Sequence, residues 1–193
     1  MNAGAALAVV GGLVCLLVVI VIVWGIAGYN RLVKLRNQVD ASWAQIDVQL
    51  KRRYDLIPNL VETVKGYATH ERGTLEAVVA ARGAAINAAQ TPGVADRAEA
   101  ENILTQTLGR LFALAEAYPD LKANQNFLAL QGELGNTEDK IAYARQFYNS
   151  AVQTFNTAVQ TLPTNIIAGV GGFKSKDFFT AAGGERGPVQ VRF

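Results

Sequence analysis

The 193 residues contain one cysteine and one histidine, and each scarcity removes a class of chemistry. Cys15 alone forms no intrachain disulfide, and it lies within an apolar run that suits no catalytic thiolate. A carboxylate-bridged two-metal centre in a helical bundle takes Glu-x-x-His pairs from two helices, whereas the single His70 has Tyr67 at that spacing. A serine triad would need the same His70, which stands at an expected helix boundary. Charge of either sign is missing from Met1 to Asn30, and beyond it 18 basic residues face 16 acidic ones. That near balance excludes the basic footprint of a nucleic-acid-binding domain. The glycines of "AGVGGFKSK" (residues 168–176) lack the spacing of a phosphate loop and read as flexible linker. No strand alternation occurs before Pro163.

What is present begins with "AGAALAVVGGLVCLLVVIVIVWGIAGY" (Ala3 to Tyr29). As a helix it reaches about 40 Å, more than the roughly 30 Å hydrocarbon core of a bilayer. A cleaved signal peptide is the competing reading, since Gly25 and Ala27 form a small-x-small pair, but no Lys or Arg precedes the run. Trp24 and Tyr29 stand where interfacial aromatics belong. Arg31, Lys34 and Arg36 lie just after the run and favour a cytoplasmic location for the remainder of the chain, with the short N-terminus outside.

Two long helical seams come next. One runs Leu32, Leu35, Val39, Trp43, Ile46, Leu50, Tyr54, Ile57, Val61, Val64, Ala68; the other runs from Phe127 to Leu162 through Glu138, Arg145, Tyr148 and Phe155. Steps of three and four residues are the coiled-coil signature. Between them lie two shorter helical patterns, Glu71 to Ala89 and Asp96 to Tyr118, separated by "QTPGVAD", with Asp96 and Glu99 spaced as an N-terminal cap and its partner. The expected fold is all-α: a single transmembrane helix, then an antiparallel up-down bundle of two long and two short helices, then an irregular tail. The expected divisions are an anchor over 1–29, a bundle over 30–162 and a glycine-rich tail over 163–193.

Length then decides what is covered. As helices, Asn30 to Ala68 and Pro119 to Leu162 reach about 58 and 66 Å and the short ones about 28 and 34 Å, so a hairpin of the short pair covers only half of the long pair. Trp43, Tyr148 and Phe155 would line an uncovered stalk and drive self-association. The alternative is that the short helices stack end to end and cover the whole seam. In the tail, Phe173, Phe178 and Phe179 with Lys174 and Lys176 are placed to touch the bilayer surface, and "VQVRF" (Val189 to Phe193) alternates like a strand that would pair with another subunit, a disordered tail being the competing reading.

The stretch "QLKRRYDLIPNLVETVKGY" (Gln49 to Tyr67) puts Lys51, Arg52, Arg53 and Pro58 into the first seam. Pro58 cannot donate to the Tyr54 carbonyl, yet the apolar phase continues across it, which favours one kinked helix. The cations lie about 35 Å from the bilayer edge, far beyond a screening length of roughly 8 Å, so lipid is not their partner. Charges at seam positions are costly unless paired. Arg52 or Arg53 is therefore expected to meet Glu138, and Arg145 to meet Asp40 or Asp47, setting the register of the long helices. Solvation of these groups by a slight rotation of the seam is the competing outcome.

Two segments, "YNRLVKLRNQVDASWAQIDVQLKRRYDLIPNLVETVKGYATHE" and "YPDLKANQNFLALQGELGNTEDKIAYARQFYNSAVQTFN", together with the apolar N-terminus and the "PTNIIAG" exit, resemble the LemA family over most of the chain. The resemblance implies a single-pass bacterial membrane protein with a helical bundle and an outward-facing N-terminus. It implies no reaction, and no catalytic, cofactor-binding or metal-binding residue is carried over. The expected function is a membrane-anchored, non-enzymatic helical scaffold or interaction protein that self-assembles at the bacterial membrane and organises or remodels it. The alternative is a ligand-sensing or adaptor domain coupled to a membrane partner in signalling. The expected partners are the lipid bilayer and further copies of the chain, with no nucleic acid and no cofactor.

Overall fold

A computed structural model describes residues 3–68, 70–91 and 93–180. Every element among them is a helix: α1 (Ala3–Lys65), α2 (Arg72–Gln90), α3 (Val94–Ala115), α4 (Pro119–Lys122), α5 (Gln125–Gln160) and α6 (Thr164–Val170). The expected strand at residues 189–193 lies outside the described residues. α1 is unbroken over 63 residues, about 95 Å of helix. It carries the one described segment long and apolar enough to cross a membrane. From Val10 to Val23 each large apolar side chain is at least 50 % exposed.

The chain forms two compact units. One contains α1 through Ala41 with Ser150–Lys176; the other contains Ser42–Asn149 with the chain from Asp177. α1 and α5 each contribute residues to both units.

In the second unit the apolar stripe of α1, Ile46, Leu50, Ile57, Leu60 and Val64, is buried with Val78 and Ala85 of α2, Leu104 and Leu111 of α3, and Phe127, Leu134 and Ile141 of α5. Alanines along α2 let it pack closely on α3. Helix ends depart from expectation for local reasons. α3 begins at Val94 with Gly93 as N-cap, so Asp96 sits inside the first turn, where a carboxylate meets the positive end of the helix dipole, and no side chain caps the helix. The long second helix does not run from Pro119; a short turn ends at Lys122, and Asn124 restarts the chain, its Oδ1 accepting from the Phe127 amide at 3.0 Å.

The first unit holds a second departure. The expected irregular tail contains α6 and a specific stop after it. Gly172 takes a left-handed φ of 69°, the Phe173 amide donates to the Ala168 carbonyl at 2.9 Å, and the Gly172 amide donates to Gly169 at 3.4 Å. That pattern is a glycine-terminated Schellman cap, so these glycines end a helix and do not act as flexible linker. The cap turns Phe173 inward, where its ring meets Tyr29 at 5.5 Å and Phe155 at 6.4 Å, under the Arg36 guanidinium at 5.4 Å.

Candidate functional site

The Pro58 interruption is resolved by a neighbour. A proline nitrogen cannot donate, so the Tyr54 carbonyl four residues back loses its helical partner. Arg82 of α2 supplies the donor, its Nε reaching the Tyr54 carbonyl at 2.7 Å. α1 therefore continues through Pro58, as the apolar phase implied, with the orphaned carbonyl serving as a docking point for α2.

One turn earlier, charge enters the core. Arg53 is fully buried and ties three helices together. It donates through Nη2 to Glu101 of α3, and through Nη1 to Glu138 Oε2 of α5 at 2.6 Å and to Thr105 Oγ1 at 2.9 Å. The Thr105 hydroxyl donates onward to Glu138 Oε1 at 3.2 Å, and the Tyr54 hydroxyl donates to Glu101. Glu101 is as buried as Arg53. Isolating such a charge from water is prohibitive unless its partners are held in place, and here each carboxylate finds a cation and a hydroxyl. Burial first, and then the hydrogen bond to the Glu101 carboxylate, raise the Tyr54 phenol well above its ordinary value. Tyr118 is shifted upward as well, chiefly by its hydrogen bond to Glu71 at 3.1 Å.

Of the charged residues singled out by the sequence, Arg53 meets Glu138, while Arg52 reaches the exposed Glu133 at 2.5 Å. Asp47 pairs with Arg97 of α3, Asp40 with Lys176 at 3.3 Å, and Arg145 lies over the Phe179 ring at 4.6 Å. The expected match of Arg145 with Asp40 or Asp47 is thus replaced by other cations on both carboxylates. The seam of α5 keeps Leu134, Ile141 and Tyr148 but steps between them through the buried Thr137 and Ala144, leaving Glu138 and Arg145 at its margin. Glu101 and Arg97 stand on the buried face of α3, in register with Ala98, Leu104, Leu108 and Leu111, and that register is the signal available in the sequence.

The uncovered stalk is corrected. Tyr148 is 2 % exposed and Phe155 1 %, and Trp43 is half-buried. Arg97 of α3 covers part of Trp43, and the segment after α6 supplies Phe173 against Phe155 and Phe179 against Trp43. In the first unit Phe173 packs on Phe155, and the Asn156 side chain clamps the backbone of Lys176, accepting from its amide at 2.8 Å and donating to its carbonyl at 2.9 Å. In the second unit Phe179 packs on Trp43 at 5.8 Å, itself 5.1 Å from the Tyr148 ring, with the Arg97 guanidinium 5.0 Å over its indole. There Asn149 clamps the Phe179 backbone through the same pair of bonds, at 2.9 and 3.0 Å, and the Tyr148 hydroxyl donates to the Asp177 carbonyl at 2.9 Å. Phe173 and Phe179 are buried accordingly and do not offer themselves to a bilayer, whereas Phe178 remains exposed.

Three concave surfaces lie among the described residues of the second unit, one of them a groove of about 620 Å³ bordered by Val61, Ala68, Leu75 and Val79. A cavity of about 240 Å³ opens beside Arg53, Thr105 and Glu138, walled by Leu108, Phe112 and Leu134. Gly109 and Gly135 border it, and a Cβ on either would meet open space. A groove of about 480 Å³ runs over Val48, Asp139, Lys140 and Tyr143. Val48, Tyr143 and Phe147 are 63, 74 and 45 % exposed. His70 is exposed in the turn after α1.

The sequence model of the LemA family matches residues 42–193. Two magnetosome proteins are similar to the chain: "Magnetosome protein MamQ 2" of Paramagnetospirillum magneticum and "Magnetosome protein MamQ" of Magnetospirillum gryphiswaldense, each 27 % identical over 174 residues, 78 % of this chain and 64 % of the relative. "Protein LemA" of Metamycoplasma hominis is 28 % identical over 141 residues, 72 % of this chain and 63 % of the relative. The chain thus spans under two thirds of the length of these relatives.

Proposed function

From the premise that the chain belongs to the LemA family, we propose that it is a membrane-anchored, non-enzymatic scaffold of a bacterial membrane, with α1 as its single span. The observation that carries the anchor is the bare apolar surface from Val10 to Val23, uncharged and uncovered, which is stable only in a hydrocarbon solvent. The magnetosome membership named for its relatives supports a role in organising or remodelling membrane. Arg31, Lys34 and Arg36 favour a cytoplasmic location for the chain beyond the span. Alkaline carbonate extraction of membranes tests the anchor, with retention in the pellet expected and release overturning it; protease digestion of spheroplasts tests the orientation, with protection of the C-terminal region expected.

Self-assembly remains part of this reading but requires a different face from Trp43, Tyr148 and Phe155. Val48, Tyr143 and Phe147 offer it, and the neighbouring Asp139 and Lys140 allow a second copy related by a two-fold axis to exchange charge pairs. Native mass spectrometry of the full chain in detergent tests this, with oligomers expected and a single-copy species at high protein concentration overturning it.

The cavity beside Arg53 favours one second reading, a ligand-sensing or adaptor domain coupled to a membrane partner. A thermal-shift screen of small molecules with Gly135→Leu as the filled control separates the two: stabilisation lost in that variant supports sensing, and its absence from both supports the scaffold.

A further inference from the structure

α6 and the turn before it present apolar surface that the protein itself leaves bare. Leu162 is 75 % exposed, Ile166 61 % and Val170 90 %. This is not a fraying end, because Ala168 is buried and the Schellman stop fixes Phe173 in the core of the same unit. The helix rests on the C-terminal end of the apolar run of α1. Gly28 is the point of closest approach: its backbone is ordinary helix, but any Cβ there would strike the Ile167 side chain. Gly25, Ile26 and Tyr29 form one wall of an apolar recess of about 470 Å³, and Ile166 and Val170 form the other.

Depth is set by that contact. Gly25 to Tyr29 are the last residues of the run before the first cation, Arg31, so a side chain held beside them shares their level in the bilayer. From Thr161 to Phe173 the chain is without charge, and Lys174 and Lys176 come after it as Arg31, Lys34 and Arg36 come after the span. Both passages therefore leave an uncharged layer through cations, the pattern expected at a membrane boundary.

We infer that α6 is a second membrane-contact element, with Leu162, Ile166 and Val170 immersed in the leaflet that surrounds the C-terminal end of the α1 span. This rests on the reading of α1 as an anchor. Its consequence is that the first unit is attached to the bilayer at two places, the span and α6, and cannot swivel freely about a single helix.

The test uses the full chain with Cys15→Ser as background and single cysteines introduced as Ile166→Cys, Val170→Cys, Val18→Cys and Asn37→Cys. Each carries an environment-sensitive nitrobenzoxadiazole probe and is reconstituted into phosphatidylcholine–phosphatidylglycerol vesicles with and without doxyl-labelled lipid. Circular dichroism equal to that of the parent chain qualifies each variant. Blue-shifted emission at residues 166 and 170, quenched by doxyl lipid to an extent comparable with residue 18 and unlike residue 37, is the expected result. Quenching at residue 18 alone overturns the inference and leaves the anchor standing. A blue shift at 166 and 170 without lipid quenching also overturns it, since protein, such as a second copy, then covers the patch. No quenching at residue 18 overturns the anchor, and the inference with it.

Discussion

At the scale of single residues, the structure turns two apparent defects of α1 into connections. Pro58 withholds a donor, and Arg82 uses the acceptor so released. Arg82→Ala should cost about 1–2 kcal/mol, because it strands the Tyr54 carbonyl, and less in a Pro58→Ala background, where the restored amide takes over. Denaturant unfolding of the four proteins of this cycle, monitored by far-ultraviolet circular dichroism, measures the difference; equal costs in both backgrounds would refute the link. The second defect is the buried Arg53. Glu101→Gln should destabilise the chain by about 3 kcal/mol, since a fully buried guanidinium then keeps only Glu138 as a charged partner. The neighbouring phenol adds a pH dependence of definite sign. Tyr54 has its folded value raised above the ordinary 10.0, so its contribution is complete below pH 10 and is lost as pH climbs beyond it, when the unfolded chain ionises first. Melting midpoints should therefore fall above pH 10, and Tyr54→Phe should flatten that fall. Glu138 was expected as a partner of Arg52 or Arg53 from its place in the seam; it stands at the margin of that seam, with Arg53 against it. The principal partner Glu101 was not expected, since choosing among carboxylates needs three helices brought to one point.

At the scale of elements, the segment from Phe173 to Thr180 shows how a stretch without regular structure is held. Asn149 clamps the backbone of Phe179 in the second unit, and Asn156 that of Lys176 in the first. Each asparagine replaces a strand partner by accepting from an amide and donating to a carbonyl. Asn149→Ala should accelerate hydrogen exchange of the Phe179 amide, and Asn156→Ala that of Lys176, each removing two hydrogen bonds worth about 1 kcal/mol apiece. Unchanged exchange in these variants would show the clamps to be incidental. Gly28→Leu should displace α6, read as loss of protection at the Phe173 amide, which closes the Schellman cap. Gly28→Ala should be mild, since only the flexible end of Ile167 must move and alanine favours the helix. The two asparagines and the pair Gly171–Gly172 were visible in the sequence. Their meaning was not, because glycine-rich composition serves a linker and a helix stop equally well.

At the scale of the whole molecule, the proposed assembly has a specific outcome. Tyr143→Asp combined with Phe147→Asp should shift the full chain in detergent toward single copies without altering its helicity, whereas Trp43→Ala should lower stability by lost packing against Tyr148 and Phe179. Sedimentation velocity and circular dichroism separate the two effects, and an unchanged sedimentation profile for the double variant would remove this face from consideration. Helical character, the exposed apolar run and the buried stripe of α1 were determined by the sequence alone, because hydrophobic periodicity and uninterrupted apolar length are local properties that any neighbour must respect. Which surfaces stay bare was decided only by the tertiary structure. The lengths of the helices implied an open strip, but burial depends on every segment that can reach a surface, and a tail with no periodicity of its own supplied the phenylalanines that closed it.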